Sequence, residues 1–335
     1  MKSSNHPNHC TIIYAVLFGI MLSAGSPTSM GSDPGASYEL KILHSRTAHD
    51  ALFGVHAGSD TILAIGDHGL LLISHDRGSS WEEVAVPTSA ALLDIDVLTD
   101  GHGVIVGQFG TILHTEDGGK HWAVVNSNTN ARLFAVSIEA GGGGIAVGEF
   151  GTVMYTTDHG KRWQQAGIEW EDLTGLLDAP HLYDVYVSAE NILIVGEFGL
   201  VLSARAPAMP FTVMHQGDLS LFALDVTADG AFWCVGQGGL IIHSPDKGES
   251  WQTRYLDAPV ELLDIQIDID GQGILATRGP VFHSLDAGLN WQEISTPPSL
   301  WHQAVAKMDV GEFLLVGAYG LITRLAQAKG ISPVK

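Results

Sequence analysis

"VGQFGTILHTEDGGKHW" (residues 106–122) and "VGEFGTVMYTTDHGKRW" (residues 147–163) are two copies of one unit, 41 residues apart. A third stretch, "VGEFGLVLSA" (195–204), keeps only the first half. Two signals are interleaved in the unit. The first is a G-x-x-G turn whose last glycine recurs at Gly69, Gly110, Gly151, Gly199, Gly239, Gly279 and Gly320, with gaps of 41, 41, 48, 40, 40 and 41 residues. Gly279, in "TRGP", is the loosest copy. The second is an Asp-x-Gly-x-x-Trp corner at 76–81, 117–122, 158–163, 246–251 and 286–291.

Four short apolar pieces fill each unit. In the third they are "LFAVSI" (133–138), "GIAVG" (144–148), "TVMYTT" (152–157) and "RWQQA" (162–166). Such β-branched and aromatic pieces, parted by Gly or Asp turns, make a meandering antiparallel sheet. A four-stranded unit of about 40 residues is one propeller blade. The expected fold is all-β, a seven-bladed β-propeller. The seventh unit, 300–326, lacks a Trp-bearing fourth strand, whereas "YELKILH" (38–44) stands alone before the first complete unit. That N-terminal strand is predicted to complete the last blade and remove the open seam of the ring. The propeller then spans 38–326 as one domain, with a C-terminal tail at 327–335.

Residues 1–25 read as a signal peptide. Lys2 is the only charged residue there, the apolar run "TIIYAVLFGIML" (11–22) follows, and "SAGS" (23–26) offers small residues for cleavage. The run is shorter than the roughly 20 residues of a spanning helix. Residues 26–37 read as a linker. The expected mature protein is exported, periplasmic or secreted, without direct membrane insertion. Cys10 leaves with the signal, so Cys234 remains alone in the apolar "FWCVG" and no internal disulfide forms. The formal charge of −21 repels phosphate backbones and excludes nucleic acid as a partner.

Ser or Thr stands two residues before each corner aspartate, at Ser74, Thr115, Thr156, Ser244 and Ser284. Asp76, Asp117, Asp158, Asp246 and Asp286 therefore read as structural: each closes its own turn, glycine permits positive φ, and the Trp covers the corner. Five copies around a ring cannot converge on one substrate. His114, His243 and His283 each lie three residues before their aspartate, so they occupy equivalent places in different blades. No H-x-H or H-E-x-x-H spacing is present, and neither a metal site nor a cofactor is expected.

The Ser/Thr-x-Asp-x-Gly-x-x-Trp corner matches the Asp-box of BNR-repeat propellers. The whole unit resembles the photosystem II stability/assembly-factor-like branch of that superfamily, over about 38–326 and most strongly at 91–163. The resemblance implies an exported, non-enzymatic propeller that helps assemble membrane protein complexes. For bacterial relatives outside photosynthesis it implies association with transporters, including the resistance–nodulation–division (RND) type. Photosynthetic members are associated with an arginine-rich patch. Here the eight arginines (46, 77, 132, 162, 205, 254, 278 and 324) are scattered on an acidic chain. That favours general partner docking over the photosystem role. Asp-boxes also occur in sialidases, which need an arginine triad, a Tyr–Glu nucleophile pair and an acid Asp. The early Arg-Ile-Pro element is absent, "SRTAHD" (45–50) standing after the first strand, and nothing marks Arg46, Arg132 and Arg254 as a triad.

Loops alternate faces along a meander, so G-x-x-G turns share one face with the blade-to-blade connections. That face collects Asp67, His68, Gln108, Phe109, Glu149, Phe150, Glu197, Phe198, Gln237, Arg278, Ala318 and Tyr319. Two readings follow: an amphipathic, acidic ring for a protein partner or cationic ligand, or phenylalanines tucked against neighbouring blades. The repetition of Phe with the blade favours the second. The longer gap between blades 3 and 4, "GIEWEDLTGLLDAP" (167–180), lies on the same face with Trp170, Leu173, Leu176 and Leu177 among acids. It reads equally as a contact element or a self-packed lid. Blade 4 has "ARAPAMPF" (204–211) in place of a corner. Asp94, Asp184 and Asp264 begin inner strands of alternate blades, either binding a cation or bonding adjacent backbone.

The function expected from all this is an assembly or accessory factor for an envelope membrane complex, such as an RND-type transporter, and not an enzyme. Contact is expected through Phe109, Glu149, Phe150, Trp170, Leu173, Leu176, Glu197, Phe198 and Tyr319. A small-molecule or glycan-binding propeller is the alternative, and a sialidase-like glycosidase a lower one.

Overall fold

A computed structural model describes residues 38–47, 50–205, 210–294 and 300–327. The signal peptide, the 26–37 linker and the tail beyond 327 lie outside the described residues. Seven four-stranded antiparallel sheets form, each in plain meander order except the last. Blade 2 is typical, with strands Leu92–Val97, Gly103–Gly107, Ile112–Thr115 and Ala123–Val125. The inner strand of every blade touches those of its two neighbours, and the seventh returns to the first. The ring is closed as expected: Tyr38–His44 pairs antiparallel with Ile322–Gln327, from Tyr38 opposite Gln327 to His44 opposite Ile322.

Second strands such as "ILAIG", "GVIVG", "GIAVG" and "FWCVG" are buried along their whole length. They are continuous apolar runs, not alternating ones, because each face of a blade packs on the next blade. Leu63, Ile65, Leu71 and Ile73 of blade 1 meet Leu92, Ile95 and Val97 of blade 2 in one such seam. Each buried aliphatic side chain there contributes about 1.5–3 kcal/mol. Outer strands are short and exposed, Glu82–Glu83 and Gln164–Gln165 being two residues each. Short charged or polar edges offer little to another chain. Blade 4 keeps four strands without a corner, and Phe211 is buried in the seam between blades 3 and 4. Residues 206–209 of that replaced corner lie outside the described residues.

The five corners share one Ser/Thr–Asp hydrogen bond, and in blades 1–3 the Trp indole adds a bond to the corner glycine. In blade 2 the Thr115 hydroxyl donates to Asp117 Oδ1 (2.9 Å) and accepts from Gly119 N–H (3.2 Å), while Asp117 Oδ1 accepts from His121 N–H (3.0 Å). Trp122 Nε1 donates to Gly119 O (2.9 Å) and covers the turn. Burial opposes ionisation of Asp117, but the His121 side chain and backbone donors outweigh it and hold the carboxyl at about 2. Gly119 has φ +92°, and a Cβ there would lie 2.6 Å from Leu63 Cδ1 of blade 1. The corner glycine thus serves both the turn and the close approach of blades.

Inner strands leave a row of backbone N–H groups facing the axis, and carboxylates from the preceding blade cap them. Asp94 Oδ2 accepts from Val136 N–H of blade 3, Asp184 Oδ2 from Leu224 of blade 5, and Asp264 Oδ2 from Val305 of blade 7, each at 2.8 Å. Their Oδ1 atoms accept from Ile95, Val185 and Ile265 of their own strands. Asp96 and Asp225 repeat the device on Ile138 (2.9 Å) and Ile267 (2.7 Å). Of the two readings for Asp94, Asp184 and Asp264, adjacent backbone holds. The backbone belongs in equal part to their own strand and to the next blade, which makes these residues clamps between blades. Burial pushes Asp94, Asp96 and Asp225 up to about 6 and Asp264 to about 7, and it raises Asp184 well above the usual carboxylate range.

Candidate partner-binding face

A G-x-x-G turn bends the chain from the second strand to the third. In blade 2 a Cβ on Gly107 would lie 2.2 Å from Ala91 O, so the first glycine answers a close approach. The residue at the tip is left-handed: His68, Phe109, Phe150, Phe198 and Tyr319 have φ of 55°, 57°, 52°, 59° and 60°. In blade 5 the tip is Gly238, with φ +65° and open space around it. Phenylalanine at such a place is strained, by about 1–3 kcal/mol.

Packing repays little of the strain at Phe109 and Phe150. Phe109 is 74% exposed and Phe150 71%, with Phe198 at 45% and Tyr319 at 42%. The expectation that each Phe tucks against its neighbour is therefore corrected for Phe109, whereas Phe150 keeps one face near His181 of the next blade and leaves most of its surface to solvent. Phe109, Phe150 and Phe198 crown three successive blades. The glutamates behave differently. Glu149 Oε2 accepts from Arg132 N–H (3.1 Å) and Glu197 Oε2 from His181 N–H (2.8 Å). Both carboxylates are spent on the start of their own blade's inner strand, so the exposed ring is aromatic more than acidic.

The insert between blades 3 and 4 divides its side chains. Trp170–Thr174 forms one helical turn, stopped by Gly175 in the left-handed region. Trp170 and Leu173 lie against the seam between blades 3 and 4. Gly151 N–H donates to Pro180 O (2.8 Å), fixing the end of the insert to the blade 3 turn. Leu176 is half-buried, whereas Leu177 is 87% exposed beside the exposed Asp178. The element is thus packed at its base and apolar at its tip.

A second aromatic group, unforeseen in the sequence, lines the channel mouth on this face. Every inner strand carries a register shift after its first residue, as between Leu133 and Ala135 or Leu182 and Asp184. The extra residue of such a bulge is re-aimed. In blades 3, 4 and 5 it is Phe134, Tyr183 and Phe222, whose rings meet at 5.5 and 5.3 Å. His181 joins this group to the tips: its ring lies 4.8 Å from that of Phe150, and its Nδ1 accepts from Phe150 N–H (3.0 Å). The Arg132 guanidinium sits 5.9 Å above the Phe134 ring. The only trace in the sequence is an aromatic or Leu after the first Leu of the inner strand in blades 1–6, blade 7 having His302 and Gln303 there.

Arg46, Arg132 and Arg254 do not form a triad. Arg46 donates to Glu83 (2.9 Å), Arg132 stands at the channel mouth, and Arg254 donates to Leu289 O (3.0 Å) from an outer strand. Cys234 is buried, and burial raises its thiol far above the usual range. A cleft of about 500 Å³ lies on the opposite face between blades 5 and 6, lined by Trp233, His243 and Leu289 among others. Among the described residues, no helix is long and apolar enough to cross a membrane.

Seven blades and five Asp-box corners make a seven-bladed propeller that resembles the BNR type. In its repeat the chain resembles the photosystem II assembly factor Ycf48. Residues 73–176 match the family described as "Photosynthesis system II assembly factor YCF48". Over 119 residues the chain is 34% identical to the photosystem II assembly lipoprotein Ycf48 of Synechococcus sp. (strain CC9902), covering 32% of this chain. The match spans only 36% of that relative's length. Two solved structures share the fold: YCF48 bound to D1 peptide (TM-score 0.69, 19% identity, 89% of this chain and 99% of that one) and YCF48 from Cyanidioschyzon merolae (0.69, 16%, 86% and 98%). An inactive virginiamycin B lyase from Staphylococcus aureus, with quinupristin, has TM-score 0.73 at 10% identity over 87% of this chain and 99% of its own.

Proposed function

We propose that this chain is a non-enzymatic accessory propeller that holds a segment of a membrane-protein subunit on its G-x-x-G face during assembly of an envelope complex. The observation that carries the reading is the pair Phe109 and Phe150: bulky side chains in a left-handed conformation, exposed, at a position where the fold accepts glycine. Strain kept at Phe109, and at Phe150 with only His181 beside the ring, points to use outside the fold. The tips of blades 2–4, Leu177 and the Phe134–Tyr183–Phe222 group together offer an apolar arc, with Arg132 and His181 as polar handles. An arc of this kind suits an extended apolar peptide better than a compact sugar. The fold shared with a YCF48 that binds D1 peptide supports the same class of ligand here.

The partner belongs to the envelope on this reading. Support comes from the apolar N-terminal run at 11–22 and from the lipoprotein designation of the Synechococcus relative. An RND-type transporter subunit is the finer proposal, and it follows from the resemblance alone. The test is site-specific photo-crosslinking in native envelopes, with the reactive residue at Phe109, Phe150 or Leu177 and, as controls, at Lys120 or Ser250 on the Asp-box face. Crosslinks to one membrane-protein subunit from the first set only are expected. Equal yields from both faces, or none, would overturn the choice of face.

A further inference from the structure

On the Asp-box face of blade 2, two buried imidazole nitrogens lack any hydrogen-bond partner: His102 Nδ1 and His114 Nε2. His102 closes the loop between the first and second strands, and His114 lies on the buried third strand, 9% exposed. Glu116 begins the corner beside them. One ligand atom from each of His102, His114 and Glu116 lies within 4.8 Å of the others. The His102 ring is stacked between His114 (5.8 Å) and His159 of blade 3 (4.5 Å).

The repeat explains His114 and nothing else in this group. At the same place in blades 5 and 6, His243 stacks on Trp233 (3.8 Å) and His283 packs beside Tyr38 (4.8 Å). Unpartnered ring nitrogens recur there, yet carbon rings face them, and Pro245 and Leu285 stand where blade 2 has Glu116. Only blade 2, among the described residues, brings two imidazoles and a carboxylate together.

We propose that His102, His114 and Glu116 form a binding site for a divalent transition-metal ion, with Zn²⁺ the fitting ion. Two imidazole nitrogens and one carboxylate oxygen are a donor set that Zn²⁺ accepts in tetrahedral geometry, with water in the fourth position. Glu116 now pairs with Lys161 of blade 3, both side chains being about half exposed. A pair so exposed holds its partners weakly, so the carboxylate is available to a metal. The bound ion ties the blade 2 loop to its own corner and frees Lys161.

The test is titration of the chelator-stripped, untagged chain with Zn²⁺, and with Co²⁺ for its visible absorption. One saturable site per chain is expected, with the spectrum of four-coordinate Co²⁺. His102→Ala and Glu116→Gln should each weaken Zn²⁺ binding on the order of tenfold or more. His243→Ala should leave it unchanged. His102 and Glu116 lie outside the core, so their variants keep the fold even where His114→Ala does not, and circular dichroism verifies this. Several weak sites, no saturable uptake, or affinity untouched by His102→Ala and Glu116→Gln would overturn the proposal.

Discussion

Phe109 holds φ 57° and exposes 74% of its surface, a conformation costly to any residue with a Cβ and one that earns no burial. Phe109→Gly should therefore stabilise the fold, by about 1 kcal/mol after the entropy of a freer unfolded chain is subtracted. Urea unfolding reads this directly, and a loss of stability would mean that the ring packs in solution. Gly119 carries the opposite expectation. Its φ of +92° and the 2.6 Å approach of Leu63 make Gly119→Ala destabilising by about 2 kcal/mol, with a lower melting midpoint. The corner aspartates were legible as structural because the turn, the glycine and the covering Trp all lie within six residues. The tip phenylalanines were not legible, since a ring repeated with the blade serves packing and contact equally well on paper. Only the left-handed backbone and the exposure separate the two.

Inner strands are held to their neighbours by aspartates that reach across about forty residues of sequence, Asp94 to Val136 and Asp264 to Val305. Their positions show in the sequence, but the backbone N–H donors that they accept from belong to the next blade, and no local pattern records blade-to-blade geometry. The bulge that aims Phe134, Tyr183 and Phe222 at the channel was hidden for a related reason: a register shift leaves the order of apolar residues unchanged. The clamps also set a pH dependence. Asp264 is raised to about 7 and Asp94, Asp96 and Asp225 to about 6, above their unfolded values, so the folded state binds these protons more tightly. Their contribution is full below about pH 4 and is lost as pH rises through 6 to 7. Corner carboxylates act in the opposite sense: Asp117, lowered to about 2, stabilises above about pH 4 and loses this as pH falls. Stability should peak at about pH 4–5 and decline toward neutrality, and Asp264→Asn should flatten the decline. Melting midpoints across pH 4–8 would decide it, a flat profile for the unaltered chain being the contrary result.

Closure of the ring was readable because the seventh unit lacks a fourth strand and the chain begins with a spare one. Tyr38–His44 supplies it, leaving Ile322–Gln327 paired on both sides. Removing residues 38–44 should expose that strand as an unprotected edge, lower the melting midpoint and produce association visible by light scattering. The ring in turn presents one aromatic face, from the tips of blades 2–4 to the channel mouth, whose use is the central claim. The decisive measurement is made on one triple variant, Phe109→Gly/Phe150→Gly/Phe198→Gly, scored both for thermal stability and for capture of the crosslinked membrane subunit. A midpoint equal to or above that of the unaltered chain, with capture lost, is the predicted result. A lowered midpoint, or capture retained, would show instead that these rings serve the fold and that the partner binds elsewhere.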